Sequence, residues 1–283
     1  MAEGLLAYLA RDLREALAAG AGYTAAVSPD GGRWLVHWAL ACALVGASLF
    51  LCCGYHAGFL AVNALAAHGP SWVWEWLTVL GDERVAFALT LFFSRRYPRV
   101  FWTLVLAALA GIAYGHALKP LFDAVRPPGV LDPNAFNLIG PGYRKVSFPS
   151  GHSVTAGVFF GVWVYYLRGN RVRAALILVA VAAGISRVAV GVHWPVDVAA
   201  GLMGGVLAAW LGATLAPKIP WGMSYPPVHL TCVVLAALLA VTLFYSDGGY
   251  AAATGPQRVL GTAALGYAAF VYLVAPLRRR GRG

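Results

Sequence analysis

The chain has 283 residues, of which 60% are hydrophobic and 11% charged, with a mean hydropathy of +0.70 and a formal net charge of +10. Apolarity at this level, gathered in runs between short polar connections, excludes an ordinary soluble domain and points to an integral membrane protein. The positive charge calls for no nucleic-acid partner, because topogenic arginines and attraction to anionic head groups account for it.

The N-terminal stretch MAEGLLAYLARDLREALAAG lacks the charged, apolar and cleavage-site succession of a removable signal peptide. Leu5, Leu6, Leu9, Leu13 and Leu17 fall on one helical stripe. Such a stripe predicts an amphipathic helix at the cytoplasmic interface, and packing against the rest of the protein explains it equally well. Residues 1–34 are read as this segment.

Windows of about 20 residues, the length that crosses a hydrocarbon core, then give candidate spans at 35–56, 75–94, 100–118, 152–168, 174–190, 196–215, 228–246 and 258–277. That is eight crossings. Glu75, Asp82, Glu83 and Arg84 interrupt the second, and the piece 57–72 is short enough to read as re-entrant or interfacial. Cys42, Cys52, Cys53 and Cys232 lie in apolar runs without a CxxC pattern, so they are read as small buried hydrophobes. The sequence has no internal repeat.

An even number of spans puts both termini on one side. With them fall Arg11, Arg14, Arg33, Arg95, Arg96, Arg99, Arg168, Arg171, Arg173, Lys218, Arg278, Arg279, Arg280 and Arg282, which is 14 of the 21 Lys and Arg. The excess of cations predicts cytoplasmic termini. The longest polar connection, 119–151, then lies on the opposite face.

Ionisable residues at membrane edges are costly and default to functional candidates, and three groups of them share that face. In KPLFDAVRP, Lys119 and Arg126 are seven residues apart, about two helical turns if the segment stays helical. The proline after each argues for an interrupted helix. In FPSGHS, Ser150 is a good N-cap and Gly151 permits close backbone approach, so the next span begins with amide N–H groups suited to a phosphate. In SRVAVGVHWPVD, Pro195 can open a helix with His193 at its entrance and Asp197 four residues on. A carboxylate there can fix the imidazole tautomer that leaves the other nitrogen free to attack.

The pattern K-x6-R-P, P-S-G-H and S-R-x5-H-x3-D resembles the three-part signature of the type-2 phosphatidic acid phosphatase superfamily, which also holds vanadium haloperoxidases and bacterial acid phosphatases. Lys119, Arg126, Pro127, Pro149, Ser150, Gly151, His152, Ser186, Arg187, His193 and Asp197 fill it. The resemblance implies an all-α polytopic membrane helix bundle, with a six-span phosphatase core over 35–215 and two further spans and a basic tail over 216–283. It implies metal-independent hydrolysis through a phosphohistidine. His193 is then the nucleophile, Asp197 its orienting partner and His152 the acid and later base, while Lys119, Arg126, Ser150, Gly151 and Arg187 hold the phosphate oxygens. No cofactor or metal is called for, and Asp123 and Asp132 are too scattered to form a ligand set.

A transporter would be expected to show paired half-helices deep in the bilayer, and known vanadium peroxidases are soluble. A lipid-binding protein with a dead site would lack a catalytic residue, and none is missing. The expected substrate is a phosphorylated lipid. Undecaprenyl pyrophosphate is the first choice, and lipid A, phosphatidylglycerophosphate and phosphatidate are the alternatives. The Ala-, Leu-, Gly- and Arg-rich composition suits a high-GC bacterium, with the protein in its inner membrane and the site facing the periplasm. The connection SDGGYAAATGPQ (246–257) would face the active side, where it shapes substrate entry or merely extends the bundle. Of the remaining histidines, His37, His56, His68 and His229 are read as packing or interfacial residues, and His116, one turn before Lys119, is the one worth testing.

Overall fold

The computed structural model describes residues 4–23 and 30–281, and every regular element among them is helical. Among the described residues, five segments are long and apolar enough to cross a membrane: Gly31–Cys53, Pro98–Val130, Asn170–Ala189, Pro195–Leu215 and Ala251–Arg280. The other three expected spans differ. The stretch 75–94 is two short helices, α4 (Ser71–Val79) and α5 (Glu83–Thr90). They separate where the Asp82 side chain accepts the Arg84 N–H at 2.8 Å and so caps α5. Helices α8 (Gly151–Tyr166) and α12 (Pro226–Thr242) have 16 and 17 residues. At about 1.5 Å per residue α8 is roughly 24 Å long, short of a hydrocarbon core of about 30 Å.

Helix α10 (Pro195–Leu215) is the hub, packed against α8, α2 (Gly31–Cys53) and α6 (Pro98–Phe122). Small residues set how close α8 and α10 come. A Cβ on Gly205 would stand 2.2 Å from the Val154 carbonyl oxygen and 2.9 Å from the Gly157 Cα. Close backbone approach over glycines is the usual way apolar helices pack where no water drives them together. At the mouth of the pair, the Ser150 N–H donates to the Asp197 carbonyl at 3.1 Å. The packing that joins the two helices therefore also joins two of the sequence motifs.

The C-terminal helices share a core with the centre of the bundle. Val79, Val85, Leu91, Phe101, Val190 and Val192 pack in one cluster with Val233, Leu243, Tyr250 and Ala264 from α12, the connection after it and α13 (Thr254–Ala269). The chain then continues through a π-helical turn, Phe270–Val274, into α14 (Ala275–Arg280).

At the end of the bundle that carries both termini, Asp12 of α1 (Leu5–Tyr23) pairs with Arg95 and, at 2.6 Å, with Arg279. Burial opposes ionisation of Asp12, but hydrogen bonds from Arg279 and Arg95 outweigh it and the carboxyl pKa is lowered. The leucine stripe divides: Leu13 and Leu17 are buried and Leu5 and Leu6 exposed, so packing explains only its second half.

One further reading is corrected and one refined. Arg173, counted among the cations on the side of the termini, turns inward there. It is 2% exposed, and its Nε donates to the Val164 and Leu167 carbonyls at 3.1 and 3.0 Å, closing the C-terminal end of α8. Of the cysteines only Cys42 is buried, while Cys52 and Cys53 at the end of α2 are exposed on the bundle surface.

The segment 57–72 contains the eight-residue helix α3 (Phe59–Ala66). Its buried Asn63 donates through Nδ2 to the carbonyls of Asn137, Val188 and Ala189, and accepts the Asn137 N–H at 2.7 Å. α3 thereby ties the polar connection to the end of α9 (Asn170–Ala189), where Arg187 lies.

Candidate active site

The three sequence groups meet at the end of the bundle opposite Asp12. Helix α6 runs through Pro120 to Phe122 and stops at Asp123, whose φ is 34°. The chain then leaves the helix until the short α7 (Pro127–Val130). Lys119 and Arg126 are thus not two turns apart on one helix, and it is this break that turns Arg126 back toward the site. Its Nε donates to the carbonyls of Lys145 and Val146 at 2.9 and 3.2 Å, and its guanidinium lies over the Tyr143 ring. Val146 has a φ of 58°, a costly conformation for a β-branched residue, and strain of that kind collects at sites where the surroundings over-determine the backbone.

Ser150 caps α8 as expected. It is fully buried with extended backbone angles, and its Oγ accepts from the Ser153 N–H at 3.4 Å and the Ser153 hydroxyl at 2.9 Å. Gly151 faces open space, with no atom within 4 Å of where a Cβ would stand. A cavity of about 610 Å³ fills that space, and its polar end is lined by Lys119, Arg126, Gly151, His152, Arg187 and His193. All the expected contact groups except Asp197 and the inward-turned Ser150 line this one cavity.

His193 and Asp197 are 2% and 0% exposed. The His193 Nδ1 stands 3.2 Å from Asp197 Oδ2, as the four-residue spacing across Pro195 predicts. The carboxylate is held from every side. Oδ2 accepts the Trp194 N–H at 2.9 Å and the Ser147 hydroxyl, and Oδ1 accepts the Tyr55 hydroxyl. With Nδ1–H donating to this fixed acceptor, Nε2 is left unprotonated for chemistry. Trp194 is itself clamped, stacked on His56 at 3.9 Å and donating its Nε1–H to the Val125 carbonyl at 2.8 Å.

Arg187 is 2% exposed, and its Nη1 donates to two neutral oxygens, the Thr78 hydroxyl and, at 2.8 Å, the Tyr250 hydroxyl. Its Nε is buried without a protein partner. A buried guanidinium N–H with no acceptor is costly unless a ligand supplies one.

Tyr55, Ser147, Thr78 and Tyr250 were not singled out from the sequence. Only Tyr250 carried a signal, by lying in the 246–257 connection expected on this face. His116 lines the cavity, and its Nδ1 stands 3.0 Å from the Ile112 carbonyl. Among the described residues, no group of three or more His, Cys, Asp or Glu side chains is placed to hold a metal ion.

The long apolar helices are those of a membrane protein, and two histidines and three cations line one cavity of the bundle, a lining suited in charge to an anion. Residues 99–221 match the PAP2 superfamily. It is 37% identical over 119 residues to a lipid A 1-phosphatase of Rhizobium johnstonii, covering 41% of this chain and 45% of the relative. It is 31% identical over 154 residues to an undecaprenyl-diphosphatase of Sulfolobus acidocaldarius, covering 52% of this chain and 64% of the relative. The chain thus spans less than two thirds of either relative's length. The crystal structure of Aquifex aeolicus LpxE superposes with a TM-score of 0.50 at 27% identity, covering 55% of this chain and 92% of that one.

Proposed function

We propose that this protein is a membrane lipid phosphatase that cleaves a phosphomonoester or diphosphate lipid through a phosphohistidine intermediate. The observation that carries the reading is the shape of the cavity. From its polar end it continues between α5, α6, α8 and α12 along Ala86, Phe87, Leu104, Ile112, Val158 and Leu239. One end suits a phosphate and the other suits a hydrocarbon chain, which is what a phosphorylated lipid requires.

In this reading His193 Nε2 attacks the phosphorus in line. The bond from phosphorus to the leaving oxygen breaks as that oxygen takes a proton from His152, and the N–P bond forms a phosphohistidine. His152 then takes a proton from water, whose oxygen attacks phosphorus and releases His193. Asp197 stabilises the positive charge that His193 acquires. Lys119, Arg126 and Arg187, with the N–H groups at the start of α8, neutralise the equatorial oxygens, the larger part of the work in phosphoryl transfer. These cations stand where other phosphoryl-transfer enzymes place metal ions.

Undecaprenyl pyrophosphate remains the first choice of substrate, supported by the relative named for that activity, and lipid A is the second, supported by the relative named for it. The termini are assigned to the cytoplasm and the site to the outer face of a bacterial inner membrane. The test is phosphate release from purified protein in detergent, with EDTA present, against undecaprenyl pyrophosphate, lipid A, phosphatidylglycerophosphate and phosphatidate. Turnover of at least one, inhibited by vanadate, is expected. Activity that requires added Mg²⁺ would overturn the metal-free mechanism, and no release from any lipid would overturn the reading.

A further inference from the structure

We propose that Tyr250 is a positioning residue for Arg187, so that the C-terminal extension completes the phosphate site. Tyr250 lies outside the residues that match the superfamily, in the connection between α12 and α13. The proposal rests on the phosphatase reading above for its kinetic arm and on the contact itself for its binding arm.

The connection is fastened onto the site rather than laid over it. Arg84, ion-paired with Asp82, donates through Nη1 to the Ser246 carbonyl at 2.9 Å. The Ala252 N–H donates to Glu75 Oε2 at 2.8 Å, and Trp76 Nε1 donates to the Ala252 carbonyl at 2.9 Å. Glu75, Arg84 and, through Arg84, Asp82, three of the four charged residues that interrupt the expected second span, therefore hold this connection. Gly249, with a φ of 88°, lets it pass Pro141, whose Cδ would stand 2.5 Å from a Cβ there. Between these ties Tyr250 is 3% exposed, its hydroxyl accepts from Arg187 Nη1, and the guanidinium carbon is 5.7 Å from its ring centroid.

The chemistry of the partners matters. A carboxylate would hold Arg187 more tightly but would cancel its charge before a phosphate arrived. Thr78 and Tyr250 hold the same nitrogen through neutral oxygens, so the guanidinium is aimed while its full charge stays available. Two acceptors on Nη1 fix the plane of the group, and the unpartnered Nε remains for the ligand. Tyr250 does not line the cavity, so it acts through Arg187 and not on the substrate.

The test is Tyr250→Phe in the full-length protein, which keeps the ring and removes only the acceptor. Vanadate affinity, measured by calorimetry, is expected to fall about tenfold, the effect of one hydrogen bond to a charged group. KM for the lipid substrate is expected to rise by a similar factor, with the melting temperature in detergent little changed. In an Arg187→Lys background the same substitution is expected to have no further effect on vanadate, because the pair is coupled. Should the Phe variant not fold, Thr78→Val reads the other acceptor on the same nitrogen, with the same expectations. Unchanged vanadate affinity in a folded variant would overturn the proposal, as would a full tenfold loss that persists without Arg187. If the wild type binds vanadate in this Tyr250-dependent way but releases no phosphate from any lipid, the positioning role stands and the phosphatase reading falls.

Discussion

Replacing Asp197 by Asn is the sharpest perturbation of the catalytic geometry, because it keeps the shape of the side chain and removes only its charge and one acceptor. The carboxylate takes four donors: His193 Nδ1, the Trp194 N–H, and the hydroxyls of Ser147 and Tyr55. An amide offers one oxygen and one NH₂ to the same donors, so at least one of them must turn away. Loss of a hydrogen bond to a charged group costs about 1.5–3 kcal/mol. At about 1.4 kcal/mol per decade that is roughly 10- to 150-fold in rate from misorientation alone. The tautomer adds to this. An amide NH₂ facing Nδ1 favours the imidazole with its proton on Nε2, which cannot attack phosphorus. The corresponding change in a Ser-His-Asp triad lowers turnover by about 10⁴. We therefore expect kcat to fall by about 10³–10⁴, with KM changed much less because the cations proposed to hold the phosphate are untouched. Steady-state phosphate release in detergent measures both constants, and the melting temperature shows that the variant is folded. A folded Asp197→Asn protein within threefold of wild-type kcat would refute the assignment of His193 as nucleophile with Asp197 as its partner.

His152→Ala is expected to lower kcat by about 10²–10⁴, the usual worth of a general acid and base, and least for a substrate with a good leaving group; equal losses across leaving groups would remove His152 from that role. Gly205→Val is expected to cost at least about 1–3 kcal/mol of stability, because the new Cβ meets backbone 2.2 Å away and not a movable side chain. Yield and melting temperature in detergent check it, with Gly266→Ala, which meets nothing within 4 Å, as the tolerated control. In a background without native cysteines, needed because Cys52 and Cys53 are exposed, Asn134→Cys is expected to react with an impermeant thiol reagent outside intact cells. Asn170→Cys is expected to react only after the membrane is opened, and the reverse pattern would place the site in the cytoplasm.

The parts of the site readable from the sequence are those written in local spacing. His193 and Asp197 are one helical turn apart across Pro195, and Ser150 precedes a helix start, so each geometry follows from a few adjacent residues. What the sequence hid joins distant segments through residue types without a distinctive pattern. Tyr55 reaches Asp197 across 142 positions, Thr78 reaches Arg187 across 109 and Tyr250 reaches it across 63. A lone Tyr or Thr at the edge of an apolar run carries no sign that it will meet a buried charge. The eight-span expectation weakened at 75–94 because its charges end one helix and cap the next. At 152–168 the expected bounds differ from those of α8 by only one or two residues. That Arg173 turns inward was not legible, because the count of cations near span ends says nothing of which arginine caps a helix.

The central claim is that phosphate passes through His193. Brief mixing of purified protein with substrate labelled at the departing phosphorus, followed by rapid denaturation, tests it most directly. The account predicts a labelled protein whose bond is stable in base and labile in acid, as a phosphoramidate must be, that maps to the peptide carrying His193. The label is expected to build up in His152→Ala, where hydrolysis of the intermediate is slowed more than its formation from a substrate with a good leaving group, and to vanish in His193→Ala. An active wild type that never acquires label, a label on another residue, or label retained in the His193→Ala variant would contradict it.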